Sequence, residues 1–291
     1  MEYVQGASSF LFGTGLLSQI LFTVLALVAL YAIITAVERT VDTFTRFDRL
    51  SADLVPNTTP VMQTVVQSPD AGVPLVYNSM NEKNGMEFSY SVYLYINPET
   101  FENTSNPAVC GAAGGTADVF KHVFHKGNRD VFPLMAPGLF VNGTANTLRL
   151  YMNSANKWDN FVEIPNVPVA KWFHLVVTLK GKYLDVFVNG NVTVRHEFDT
   201  VPKLNYGNIY VMQPTQFPAD TDAAALCNSI KVNGAMKGMV SRLKYFAFAL
   251  NYSQIDTLFR EGPSKKIESQ SYSELPPYFH DDWWVTQYRS A

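Results

Sequence analysis

Residues 169–202 read VAKWFHLVVTLKGKYLDVFVNGNVTVRHEFDTVP, and their pattern decides the fold. Residues 172–179 are nearly apolar throughout, as in a strand buried on both faces, and Trp172, His174 and Val176 fall on one side at a period of two. Lys180-Gly181 marks a tight turn, after which residues 183–188 resume the strand pattern. Asn189-Gly190 then separates that run from another at 192–195. Asn-Gly between two β-runs is the strongest short hairpin signal, because a type I′ turn needs positive φ at both central residues. Three strands joined by two tight turns predict an antiparallel sheet whose first strand is central to a two-sheet sandwich.

The flanking sequence continues the pattern. Phe88, Tyr90, Val92, Leu94 and Ile96 alternate with Ser and Tyr, and Leu148, Leu150 and Met152 share one side of 147–152. Residues 208–212 and 239–248 are further strand candidates. One short stretch reads as a helix: Ser253-Gln-Ile-Asp256 resembles a capping box, Ile255, Leu258 and Phe259 have apolar helical spacing, and Gly262-Pro263 closes it. Many short strands punctuated by Gly, Pro and Asn predict an all-β jelly-roll β-sandwich.

The N-terminal part is different. No charged side chain occurs from Tyr3 to Val37, and the densest part, residues 16–37, is interrupted only by Ser18, Gln19 and two Thr. Twenty-two helical residues reach about 33 Å, enough for a hydrocarbon core of about 30 Å. A secretory signal fits poorly, because the leading residues carry Glu2 and no Lys or Arg. The sequence therefore predicts a transmembrane helix over 10–37, with Leu16, Leu21, Leu25, Val28, Ile33 and Val37 facing the lipid bilayer. Arg39, Arg46 and Arg49 follow it, whereas residues 1–9 hold no basic side chain, so positive-inside counting puts the C-terminal domain on the cytoplasmic side. Five N-x-S/T sequons, at Asn57, Asn103, Asn142, Asn191 and Asn251, point the other way. The domains expected are a tail at 1–9, the span at 10–37, a juxtamembrane helix extension and Pro-rich connector at 38–72, the sandwich at 73–263, and an aromatic tail at 264–291.

Composition narrows the function. With 291 residues, 47% of them apolar, the chain can bury a sizeable core. A net charge of -3 offers no basic excess for phosphates, which excludes an electrostatic nucleic-acid partner. Two cysteines, Cys110 and Cys227, cannot build a disulfide framework or a four-cysteine zinc site.

The W-F-H-L-V-V-T strand at 172–178, the Y-L-D-V-F-V-N-G run at 183–190 and the strand after it resemble the core of the concanavalin A-like, laminin-G-like family. Residues 238–256 followed by Glu261-Gly-Pro263 resemble its closing strand and capped helix. The resemblance covers about 73–263 and implies a jelly-roll fold; the family's activities range over lectins, glucanases, adhesion modules and structural proteins. Together with the membrane helix and a tail carrying Pro276-Pro277-Tyr278 and Trp283-Trp284, the chain also resembles minor capsid proteins of large DNA viruses of algae and protists. That resemblance implies a structural protein of the virion, tying an internal membrane to the capsid shell through contacts with other capsid proteins.

Glucanases of the fold carry E-x-D-x-x-E, giving a nucleophile and a general acid. Here Glu197-Phe198-Asp199 is followed by Pro202 where the third carboxylate belongs, so no catalytic residue and no enzyme is expected. No cofactor is expected either. Among the loop acids Asp118, Asp130, Asp220 and Asp222, the pair Asp220 and Asp222 is the weak candidate for Ca2+. His122 and His125, three apart on a strand, should face opposite sides and so should not ligate jointly. Carbohydrate is the alternative partner, bound as a lectin would bind it through sandwich loops. Tyr278, Phe279, Trp283, Trp284 and Tyr288 are the candidate partner-binding residues, since large aromatic rings often dominate protein interfaces.

Overall fold

The structure, a computed structural model, describes residues 16–71, 75–77, 86–101, 119–217 and 230–268. The chain divides into two units, Met1–Leu50 and Ser51–Ala291. In the first, helix α1 spans Leu16–Arg49, so the helix continues past the apolar stretch as the sequence suggests. In the second, the described residues form fourteen strands and one α-helix. The strands are β1 (Ser51–Thr59), β2 (Gln63–Val65), β3 (Glu87–Ile96), β4 (Val119–Gly127), β5 (Met135–Asn142), β6 (Leu148–Met152) and β7 (Asn160–Ile164), then β8 (Trp172–Lys180), β9 (Tyr183–Val188), β10 (Asn191–Glu197), β11 (Asn208–Val211), β12 (Gln216–Phe217), β13 (Lys231–Ala235) and β14 (Gly238–Phe246). Helix α2 is Tyr252–Glu261.

The 169–202 stretch folds as read. β8 pairs with β9 and β9 with β10, both antiparallel, and Asn189 and Gly190 have φ of 51° and 79°, the positive pair that the hairpin turn demands. The first sheet has the order β1-β14-β3-β8-β9-β10. The second runs β12-β13-β4-β5-β6-β7, with β11 also on β4 and β2 on β11. Pairing between these strands is antiparallel except between β13 and β4. The two sheets form a sandwich. Tyr90 and Phe124, one from each, meet with ring centroids 5.9 Å apart, and Leu94, Leu175, Leu139 and Leu150 are buried in the core.

Three expectations need correction. Residues 51–65 are not a connector: β1 pairs with β14, and β2 with β11. Pro56 misleads because it sits in a register shift between Val55 and Thr58 on the outermost strand of its sheet, where a missing N–H is tolerated. The α2 cap is Asn251 rather than Ser253: the Asn251 side chain accepts from the Gln254 N–H at 2.9 Å, and the Gln254 side chain returns to the Asn251 N–H at 2.9 Å. The histidine expectation is corrected below.

Both outer sheet faces are covered. On the first sheet, α2 lies over Tyr93 and His174 and buries Ile255 and Leu258. The Tyr93 hydroxyl ties the helix end down through the Leu258 and Phe259 carbonyls, each at 2.7 Å. On the second, Val131 and Ile230 from segments between strands and Met135 and Phe217 from the ends of β5 and β12 pack against Phe120, Phe140 and Tyr151, with Trp158 alongside, making a second apolar core outside the sandwich.

Candidate functional site

Two features could meet a ligand or a partner: the apolar part of α1 and a cleft at one edge of the sandwich. Gln19–Val41 is the one helix among the described residues that is long and apolar enough to cross a membrane, with a mean hydropathy of 2.7 and none of it buried. Leu21, Leu25, Val28, Ile33 and Val37 are all exposed; Leu16 begins the helix. The three threonine hydroxyls in this stretch are satisfied internally. Thr23 donates to the Ile20 carbonyl at 2.8 Å, Thr35 to Ala32 at 3.0 Å, and Thr40 to Ala36. The helix thereby pairs these three hydroxyls without water, as hydrocarbon would require.

The cleft, of about 180 Å³, lies where the edge strands β10 and β7 come together. Lys157, Asn160 and Phe161 line it from one sheet; His196, Glu197, Phe198 and Asp199 line it from the other. Sequence reading singled out Glu197 and Asp199 but not the partners they meet from β7, about 40 residues earlier. Asn160 is oriented by its bond to the Ser154 hydroxyl at 2.6 Å, and Lys157 lies 3.9 Å from Asp159. Phe161, 40% exposed, carries the Arg149 guanidinium 4.4 Å from its ring centre, and Arg149 also bonds Glu163 at 2.6 Å. Pro202, which stands where a third glucanase carboxylate would fall, bridges to Ser154. The lining offers two phenyl rings, an imidazole, an amide, two carboxylates and an ammonium: hydrogen-bonding and stacking capacity.

The histidines face inward. The pairing of β4 with β5 passes from His122↔Phe140 to Phe124↔Leu139, so Val123 is an inserted residue. The bulge turns an odd offset into an even one and puts His122 and His125 on the same face, contrary to the strict alternation expected. Their hydrogen bonds run in one direction. The Gln213 N–H donates to His122 Nδ1 at 3.0 Å, His122 Nε2 meets His125 Nδ1 at 2.7 Å, and His125 Nε2 meets the Asn128 carbonyl at 2.7 Å. That order assigns a proton to each Nε2 and leaves both rings neutral. Burial holds His122 well below the usual range and lowers His125 to about 4. His174, bonded through Nε2 to the Ser91 hydroxyl at 2.8 Å with its buried Nδ1 unpartnered, is also lowered to about 4 by burial. All three are packing elements without access to a substrate.

Among the described residues no three His, Cys, Asp or Glu side chains are grouped to hold a metal ion. Asp130 is exposed in a turn. Asp118, Asp220, Asp222, Cys110, Cys227 and the aromatic residues Tyr278, Phe279, Trp283, Trp284 and Tyr288 lie outside the described residues.

No protein-family model and no curated protein matches the chain. Solved structures do. The ligand-binding domain of botulinum neurotoxin serotype D, in complex with N-acetylneuraminic acid, has a TM-score of 0.44 and 11% identity over 72% of this chain and 42% of that one. The serotype G binding domain gives 0.44 and 13%, over 71% and 42%. The binding domain of botulinum neurotoxin DC in complex with rat synaptotagmin II gives 0.41 and 14%, over 69% and 40%. The chain thus spans less than half the length of each of these chains.

Proposed function

We propose that the protein is a membrane-anchored, non-enzymatic binding protein and, within that class, a minor capsid protein tying an internal viral membrane to its shell. One observation carries the anchoring: a 23-residue apolar helix with no part buried. A core helix of comparable length would be covered by its own domain. The β-unit serves as the binding body, with His122, His125 and His174 buried and hydrogen-bonded and its edge cleft lacking the third carboxylate of the glucanase pattern. The capsid half of the reading is supported by the sequence resemblance and by the five large aromatic side chains of the tail, which suit a protein partner. The test is alkaline extraction of the full chain followed by identification of what co-purifies. A chain that resists extraction and co-purifies with shell proteins supports the reading; one released by alkali contradicts the anchor. Trp283→Ala with Trp284→Ala should weaken incorporation into the assembly while leaving membrane insertion intact.

The cleft favours a second reading, a membrane-anchored lectin. Phe161, Asn160, Glu197 and Asp199 are residue types that bind sugar rings and hydroxyls. A glycan array with and without chelator decides between the two. Reproducible binding lost in Glu197→Ala would install the lectin, and dependence on calcium would bring in Asp220 and Asp222.

A further inference from the structure

The five sequons become informative once four of them are seen in place. An N-glycan is joined through the side-chain amide nitrogen, so the acceptor must be able to carry a bulky, solvated group. Asn191, in the β9–β10 hairpin, and Asn251, the exposed cap of α2, could carry one. Asn142 could not. It ends β5 and is only 5% exposed, and the bonds its Oδ1 accepts from the backbone N–H and hydroxyl of Thr144, each at 2.9 Å, hold that buried side chain in place. Its own N–H donates to the Thr147 carbonyl at 2.9 Å. The neighbouring Gly143 donates to the Val119 carbonyl at 2.7 Å, and a Cβ there would lie 2.8 Å from that oxygen. A sugar on this buried amide would have to displace the packing of the β5–β6 turn.

Asn57 is committed as well. Its amide donates to one carboxylate oxygen of Glu268 at 2.6 Å, while Gln63 donates to the other at 2.6 Å. This clamp closes a short parallel pairing in which the Thr58 N–H meets the Lys266 carbonyl at 2.9 Å and the Glu268 N–H meets the Thr58 carbonyl at 2.7 Å. A glycan on Asn57 would stand between β1 and the segment it holds.

Glycan transfer reads the sequon on a chain that has not yet folded. A β-unit delivered to a glycosylating lumen would therefore be modified at Asn142 before β5 could pair. From the two committed amides we infer that the β-unit is built on the cytoplasmic, non-glycosylating face of the bilayer, and that its partners are met there. The inference rests on reading Gln19–Val41 as a membrane span. Arg39, Arg46 and Arg49, directly after the span, favour the same side.

The test is translation of the full chain with endoplasmic-reticulum microsomes. Alkaline extraction reports the span, and a glycosidase-sensitive mobility shift reports the side. A parallel chain with a long N-terminal extension bearing one sequon reports the other end. The expected result is an alkali-resistant native chain with no shift, digested by protease added outside, and a single glycan on the extended chain. An alkali-resistant native chain that gains glycans and is shielded from protease overturns the placement while leaving the span intact. A chain extracted by alkali overturns the span, and this placement with it.

Discussion

The two units treat apolar surface in opposite ways. In the β-unit even the outer sheet faces, which an antiparallel sandwich can leave to water, are covered: by α2 on one side, and on the other by interstrand segments over Phe120, Phe140 and Tyr151. In the helical unit thirteen large apolar side chains between Ile20 and Val41 remain exposed. At about 1.5 kcal/mol each, leaving them in water would forgo roughly 20 kcal/mol, more than the whole stability of an ordinary domain. The chain buries apolar surface wherever it has the segments to do so. On the proposed reading a hydrocarbon layer covers the helix, whose apolar length it matches.

The sharpest way to break this contrast is to charge the helix. Leu25→Arg with Val28→Arg puts two cations mid-span at about 2.5–3.5 kcal/mol each, and should shift the chain from the alkali-resistant to the extractable fraction. The β-unit's near-ultraviolet circular dichroism should not change. The reverse experiment is Phe140→Ala, which opens a cavity in the outer core. A loss of about 3–5 kcal/mol in denaturant stability is expected, with membrane association unaffected.

Acid should separate the units next. His125 and His174 have folded values near 4 against 6.5 when unfolded, so the unfolded chain binds more protons between those limits. Stability is then complete above about pH 6.5 and falls as pH drops towards 4, by about 2 kcal/mol per histidine at pH 5. His122 adds in the same direction. Denaturant titrations at pH 7 and pH 5 should show this fall in the β-unit alone. His174→Phe with Ser91→Ala removes a titrating ring and its partner together, and should recover about 2 kcal/mol of the acid loss. A double variant with an unchanged pH slope would show that His174 is not held neutral. The smallest effect is expected at the α2 cap, where Asn251→Ala should cost about 1 kcal/mol and leave the second sheet untouched.

Period and turn chemistry made much of this architecture legible. The β8–β9–β10 hairpins, the two-faced β3 and the apolar helix follow from local spacing, because each residue's environment there is set by its near neighbours. What escaped was set by distant ones. Pro56 looks like a connector until β14 is seen beside it, and the bulge at Val123 that unites His122 with His125 has no marker in K-H-V-F-H-K. The outer core draws on Val131 from an aperiodic segment and on Met135 and Phe217 at strand ends, which could not be recognised before the sheet they cover was in place. The cleft is of the same kind: Glu197 and Asp199 were noticed for their charge, while Asn160 and Phe161 join them only because β7 and β10 end their sheets side by side. Asn142 is the plainest case, a sequon by its letters and a buried turn residue by its hydrogen bonds.

The central claim is that lipid, and not protein, covers the helix. It is tested most directly by photolabelling the full chain in vesicles with an apolar reagent dissolved in the bilayer, and mapping the modified residues by mass spectrometry. The account predicts labels between residues 20 and 37 on every side of the helix and none in the β-strands. Labels absent from that stretch, or confined to one narrow side of it, would mean that protein covers the helix and would contradict the account.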